Sequence, residues 1–377
     1  MSRKIKKIVF LTGTRADYGK LKPLITAAIK NSKFKVIILV TGMHLQKKFG
    51  STYLQIINDF KKSKIYKVNN HIDNVQMVDI LANTLKKVGK TIKKIKPDLV
   101  IIHGDRVETL ATTITCNLNN ILTCHIEGGE VSGTVDESIR HSTTKLAHAH
   151  FVSNSKAKKI LIRMGELKKN IYVIGSPEVD IMLSKNLPSK NDLKKRYNIK
   201  FKDFAIFLFH PVTTLDKKEI NKQCKILKKV IQDSNKNFIV ILPNNDTFSE
   251  IIHEFISNLK NLDNVRVLPS LRFEYFLTLL KNSQFILGNS SSGIREAPVY
   301  GIKTINLGTR QKNRSDNKNI INLNFNYKKI LNEINKAKTV TQKQFNFGHG
   351  NTAKNFIKVL KKKSFWLTDK QKNFSKN

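Results

Sequence analysis

The sequence predicts an α/β protein built from two doubly wound, Rossmann-like domains with a cleft between them. Short apolar runs closed by Gly, Asn or Pro recur through the first half, as KIVFLTG, KVIILVTG, DLVIIHG, ILTCHIEGG, HAHFVSN and IYVIGSP. Buried parallel strands are written as such continuous runs, and the longer helical patterns between them supply the crossovers. The second half repeats the rhythm with FAIFLFHP, FIVILPNN, VRVLPS, FILGNSSS and KTINLG. Between the halves, residues 184–202 are polar and contain Pro188, which places a linker in the first part of that stretch. The expected domains are residues 1–183 and 184–350, followed by a C-terminal helix over 351–367 and a frayed polar tail over 368–377.

The first strand runs straight into TGTRADYGKLKP. A strand, a Gly-containing turn with Arg15 and then a helix form a place to hold phosphate, through helix amides and a forked donor. The turn is not GxGxxG, so no nicotinamide cofactor is expected. Val78, Leu81, Leu85, Val88, Ile92 and Ile95 recur at three and four and mark a helix stripe. Asp105 ends the run PDLVIIHGD, Glu127 ends ILTCHIE before a Gly pair, and Asp136 lies just past Gly133 ahead of a helix. Ligands of open α/β sheets bind at the carboxyl ends of strands. Any one of these acids is more simply a cap or turn residue. Three together, interleaved with Arg106, His125, Arg140 and His141, point to acid–base chemistry.

In the second half, HPVTT puts His210 at a strand end, where it could bond a phosphate oxygen. GNSSSGIREAP sets Ser291, Ser292 and Gly293 before a helix, a source of hydroxyls and amides for a pyrophosphate, with Glu296 one turn on for ribose hydroxyls. A Ser N-cap explains the same residues, and the two readings coexist. NLGTRQKNR adds Arg310 and Arg314, the latter read as a solvated surface residue. AKNFIKVLKKKSFW places Ala353, Phe356, Ile357 and Leu360 on one face of a last helix.

At 377 residues and 40% apolar content the chain can bury two cores. Its longest apolar runs are far short of a membrane span, and its N-terminal apolar segment is too short for a signal peptide. The expectation is a cytoplasmic protein with no membrane span. Cys116, Cys124 and Cys224 show no metal-ligand spacing and are expected as reduced thiols. The charge is unusual, 68 Lys+Arg against 28 Asp+Glu for a net +40, which invites a nucleic-acid reading. The basic residues are mostly Lys spread along the chain, and Lys86, Lys87, Lys90, Lys93 and Lys94 fall off the apolar stripe of their helix. A solvated surface follows, with an anionic substrate and no nucleic acid as the expected partner.

Taken together, TGTRADYGKL, GMH, HGDR, HIEGGEVSGTVDESIRHSTTKLAH, GSP, HPVTT, GNSSSGIREA, GTRQ and FGHGNTA resemble, in that order and from about Lys6 to Leu360, the hydrolysing UDP-N-acetylglucosamine 2-epimerases of bacterial sialic-acid biosynthesis. The resemblance implies a GT-B-like epimerase fold with a nucleotide sugar in its cleft. By motif it implies that Asp105, Glu127 and Asp136 are the catalytic acids. Arg15, His210, Ser291, Ser292, Gly293 and Glu296 then contact diphosphate and ribose, with His44 and Arg310 as further substrate contacts. It implies no cofactor, no metal and a homo-oligomer, dimer or tetramer. GTRAD stands where non-hydrolysing relatives typically read GTRPE. Phe347-Gly348-His349-Gly350 stands where the family usually reads YGDG, so any role for that Asp is absent.

The implied reaction takes UDP-N-acetylglucosamine and water to N-acetylmannosamine and UDP. Anti elimination gives 2-acetamidoglucal, and syn hydration follows, so more than one positioned proton-transfer group is required. The alternatives are the same reaction on a UDP- or GDP-linked 2,4-diacetamido-2,4,6-trideoxy sugar of a legionaminic-acid pathway, a GT-B glycosyltransferase, and a basic nucleic-acid-binding protein. The three acids of the first domain argue against the glycosyltransferase.

Overall fold

A computed structural model describes residues 5–47, 50–72, 76–131, 135–212, 215–243, 248–269, 271–311, 314, 317–337, 342–373 and 375. Contacts divide the chain into two units, residues 1–183 with 347–377, and residues 184–346. Both units are parallel α/β sheets. The first holds β1 (Lys6–Thr12), β2 (Phe34–Val40), β3 (Lys64–Lys67), β4 (Leu99–His103), β5 (Thr123–Ile126), β6 (Ala149–Val152) and β7 (Ile171–Val173). Its order is β3-β2-β1-β4-β5-β6-β7. The second holds β8 (Ala205–Leu208), β9 (Phe238–Ile241), β10 (Val265–Leu268), β11 (Phe285–Gly288), β12 (Lys303–Leu307) and β13 (Ile320–Leu323), ordered β10-β9-β8-β11-β12-β13. Each sheet therefore reverses direction once, between β1 and β4 and between β8 and β11. Those reversals are the switch points where open α/β sheets bind ligands.

The helices that matter for the first switch point are α1 (Arg15–Ile29), α2 (Tyr53–Asp59), α3 (Met77–Ile95), α4 (Val107–Leu118), α5 (Val135–Leu146), α6 (Ser155–Arg163) and α7 (Pro177–Met182). The second unit adds α8 (Lys190–Tyr197), α9 (Lys217–Asp233), α10 (Ser249–Leu259), α11 (Phe273–Lys281), α12 (Ser292–Arg295), α13 (Ala297–Tyr300) and α14 (Tyr327–Asn335). The stripe expected on α3 buries Val88, Ile92 and Ile95, while Val78 is exposed and the five lysines face solvent. Among the described residues no helix is long and apolar enough to cross a membrane.

The last helices, α15 (Thr352–Leu360) and α16 (Lys363–Trp366), belong to the first unit and not to a separate appendage. Phe356, Val359, Leu360 and Phe365 complete the core on one face of its sheet. Phe365 stacks on Phe151 at 5.9 Å, and Phe356 meets the same ring edge-on at 5.3 Å. The break between units precedes residue 351, because the Ser176 amide donates to the Phe347 carbonyl at 2.6 Å and Gly348 lies against Gly175. The tail, expected to fray, is pinned at Lys372, whose ammonium donates to the Ala147 carbonyl at 2.7 Å and to the buried Glu166 carboxylate. A buried carboxylate needs cations, and a polar tail can deliver one. Lys145 and His150 bond the same carboxylate at 2.8 and 2.9 Å.

Candidate active site

At the first switch point the β1–α1 turn is closed by its own sequence. Thr14 caps α1, accepting from the Asp17 amide at 3.2 Å. Asp17 returns the bond, taking the Gly13 and Thr14 amides at 2.9 and 3.1 Å. These helix-start amides were expected to hold a phosphate. The Asp17 carboxylate takes up the Gly13 and Thr14 amides, which stand just before the first helical residue, Arg15. Arg15 remains exposed at the first position of the helix. Thr12 gives its hydroxyl proton to Asp17. His44 Nε2, 2.9 Å from the Thr12 oxygen, is then the donor, and Nδ1 accepts from the Thr52 hydroxyl at 2.7 Å. Burial pushes His44 down to about 4 and pushes the Asp17 carboxyl up. His44 is fully buried with both ring nitrogens bonded. It braces the turn through Thr12 and Thr52, where the resemblance implied a substrate contact.

The acids gather at the ends of β4 and β5. Asp105 follows Gly104, whose φ is +76°, and Glu127 itself sits at φ +65°. A non-glycine residue held there at a strand end carries backbone strain. The turn is fixed by Gly129, φ +78°, where an added Cβ would stand 2.5 Å from the Ala157 carbonyl oxygen. Buried Arg140 of α5 ties two acids together: one nitrogen bonds the Asp105 carboxylate, and the other donates to the Glu127 backbone carbonyl at 2.7 Å. Asp136 lies in the first turn of α5, partly exposed. Gly133 and the Ser132–Thr134 stretch lie outside the described residues.

Glu127 is 4% exposed, and its side chain faces groups from several elements. Lys20 of α1 donates to its two oxygens at 3.3 and 3.2 Å, and the Ser176 hydroxyl donates at 3.1 Å. His103 Nε2 lies 3.3 Å away without hydrogen-bond alignment. Lys20 also meets Glu178 of α7 at 3.1 Å. The sequence reading did not single out Lys20, Ser176 or Glu178. His125, interleaved among the acids, is structural. Its Nε2 donates to the Gly104 carbonyl at 2.8 Å, Thr144 satisfies Nδ1 at 3.0 Å, and burial first of all lowers it to about 3.

At the second switch point His210 follows β8 and Asn289 follows β11. The Asn289 side chain takes the His210 amide at 2.7 Å and donates to the His210 carbonyl at 2.8 Å. The Asn289 carbonyl in turn accepts from Arg310 at 3.2 Å and Gln311 at 3.0 Å. Burial, then the Arg310 cation, brings His210 down to about 3, so its ring is neutral. Ser291 and Ser292 are half-buried, and Gly293 is required by packing, since a Cβ there would stand 2.5 Å from Thr304 Cγ2. The expected helix after them is two single turns, α12 and α13, broken at buried Glu296, and Ser291 makes no side-chain cap. A four-residue helix has little dipole, so any anion held here relies on hydroxyls and on Arg310 rather than on a helix terminus. Thr213 and Thr214 of HPVTT lie outside the described residues.

The family model for UDP-N-acetylglucosamine 2-epimerase matches residues 27–361. A UDP-N-acetylglucosamine 2-epimerase of Neisseria meningitidis serogroup B is 41% identical over 98% of this chain and 99% of its own length. The chain belongs to the UDP-N-acetylglucosamine 2-epimerase family. It is also 33% identical to a hydrolysing UDP-N,N'-diacetylbacillosamine 2-epimerase of Legionella pneumophila, over 95% of this chain and 96% of that one. The crystal structure of the UDP-GlcNAc 2-epimerase from Neisseria meningitidis bound to UDP-GlcNAc superposes with a TM-score of 0.80 at 20% identity, covering 94% of this chain and 99% of that one. That likeness confirms the fold of two parallel-sheet α/β domains shared by these epimerases. Among the described residues no group of three or more His, Cys, Asp or Glu is placed to hold a metal ion.

Proposed function

We propose that this epimerase-family chain is a hydrolysing enzyme of the cytoplasm that converts UDP-N-acetylglucosamine and water to N-acetylmannosamine and UDP. The carrying observation is the placement of Glu127 and Asp105 by one guanidinium, Arg140, with Lys20 on the Glu127 carboxylate. Glu127 removes the proton at C2 while the C1–O bond breaks and UDP leaves with the electron pair, giving 2-acetamidoglucal. Asp105 and Asp136 then handle the water that adds its oxygen at C1 and the proton that returns to C2. In the second unit His210, Ser291, Ser292, Glu296 and Arg310 bind the nucleotide, with Arg310 and the hydroxyls stabilising the charge on the departing diphosphate. Arg15, exposed at the start of α1, is a further phosphate-binding side chain on this reading.

The relative at 41% identity supports the N-acetylglucosamine substrate, and the Legionella relative supports hydrolysis. The Legionella relative also favours a second reading, in which the sugar is the 2,4-diacetamido analogue. Incubation with each sugar nucleotide separates the two. In H₂¹⁸O the label enters the sugar hydroxyl and not UDP, and in D₂O the product carries deuterium at C2. Label in the UDP phosphate would overturn elimination, and an intact epimerised sugar nucleotide would overturn hydrolysis.

A further inference from the structure

We propose that Lys20 and Glu178 are positioning residues that set the readiness of Glu127 to accept a proton, Lys20 favouring its carboxylate form and Glu178 tempering that effect by competing for the same ammonium. This rests on the reading of Glu127 as the base. The lysine stands between two buried acids, 3.2 Å from Glu127 Oε2 and 3.1 Å from Glu178 Oε2, and those side chains are only 5% and 1% exposed. Two buried carboxylates sharing one cation cannot both be fully compensated by it.

The geometry leaves neither acid free to move. Glu178 begins α7 behind Pro177, and the preceding Ser176 is held by its amide to Phe347, at 2.6 Å, and by its carbonyl to the Thr352 hydroxyl, at 3.0 Å. Asp180 of the same helix caps α15 by taking the Thr352 and Ala353 amides at 2.8 and 2.7 Å. The C-terminal segment thus fixes α7, and α7 presents both Ser176 and Glu178 to the Glu127–Lys20 pair. Charged and titratable groups facing Glu127 include Lys20 from α1, His103 from β4, Glu178 from α7 and, on the backbone carbonyl, Arg140 from α5.

Opposite shifts follow for the two partners. In full-length Lys20→Met the acid limb of the kcat profile for UDP-N-acetylglucosamine moves to higher pH. Turnover near pH 6 falls about tenfold or more, as expected for losing an opposite charge at this range, while KM changes little. Lys20→Arg keeps the charge and restores the profile. Glu178→Gln releases Lys20 to Glu127 and moves the acid limb to lower pH. Acid limbs that coincide with wild type in both Lys20→Met and Glu178→Gln, while Glu127→Gln is inactive, overturn this inference alone. Near-wild-type turnover in Glu127→Gln overturns the underlying reading of the base instead. If Lys20→Met does not fold, Lys20→Arg and Glu178→Gln decide: an unmoved acid limb in Glu178→Gln refutes the proposal.

Discussion

Mild acid should unfold the first unit well before the second. His44, His125 and His148 are buried in the first unit and lowered from 6.5 to about 4, about 3 and about 4, burial being the first cause in each. The second unit has one such residue, His210, lowered to about 3. A histidine whose folded value is depressed stays neutral in the fold while the unfolded chain takes up protons below 6.5. Stability is therefore lost as pH falls through 6.5 and continues to fall down to the folded values. Going from pH 7 to about 5.5 costs about 1.3 kcal/mol for each such histidine. The first unit loses about 4 kcal/mol and the second about 1 kcal/mol, against a usual total of 5–15 kcal/mol for a domain. His150, also lowered by burial, adds to the first unit's loss. Calorimetry over this range should show one transition moving steeply to lower temperature and the other nearly fixed, with His125→Gln flattening the steep one. Two transitions that shift in parallel would refute the argument.

Three further outcomes are expected. Glu166→Gln should lower the urea midpoint at pH 7 by the equivalent of about 2 kcal/mol. The gap should close as pH falls from 4.5 toward about 2, the depressed value that His150, Lys372 and Lys145 give this carboxyl against the cost of burial; equal midpoints at pH 7 would exclude it. Arg140→Met should reduce kcat by about a hundredfold, with a smaller change in KM, because it frees Asp105 and the Glu127 turn at once; steady-state kinetics reading an unchanged kcat would count against the role of Arg140. Asn289→Ala should weaken UDP binding by about tenfold, since it removes the clamp on His210 without touching its ring; calorimetry showing equal affinity would remove Asn289 from the site.

Most of the sheet was legible because central parallel strands are apolar on both faces. Two edge strands were not. β3 reads KIYK and β13 reads IINL, four residues each and largely half-exposed or exposed. Such segments carry no apolar run, and only their neighbours make them strands. The amphipathic pattern of α15 predicted a helix but could not say which sheet it covers. Asp105 and Glu127 were legible because each follows a strand and Asp136 because it opens a helix, whereas Lys20, Ser176 and Glu178 lie in or at the start of helices whose packing only the fold reveals. Asp17 was a different miss. Thr14 and Asp17 stand three apart at a helix start, a capping-box spacing visible in GTRAD and not read from it.

The two sheets share the order 3-2-1-4-5-6, the first with a seventh strand added, yet gather different side chains at their switch points. The first holds Asp17, Glu108, Glu127 and Glu178, all under a tenth exposed, with Lys20 on Glu127 and Glu178 and Arg140 on the Glu127 carbonyl. An added Cβ on Gly42 would stand 2.6 Å from Glu108 Oε1, so even the glycines there make room for carboxylate. The second offers a neutral His210, the Asn289 amide, serine hydroxyls and Arg310. A sheet of order 3-2-1-4-5-6 dictates neither set, so the division of labour lies in the loops and first helix turns that follow the strands. It also separates substrate recognition from the net charge of +40. Surface lysines such as those on α3 raise the local concentration of any anion and are screened by salt. The groups that could tell a sugar diphosphate from other anions are few, largely buried and fixed by bonds to the backbone. Added salt should therefore slow capture of the substrate while leaving kcat unaltered, and a kcat that falls in step with the capture rate would place surface charge in the chemical step itself.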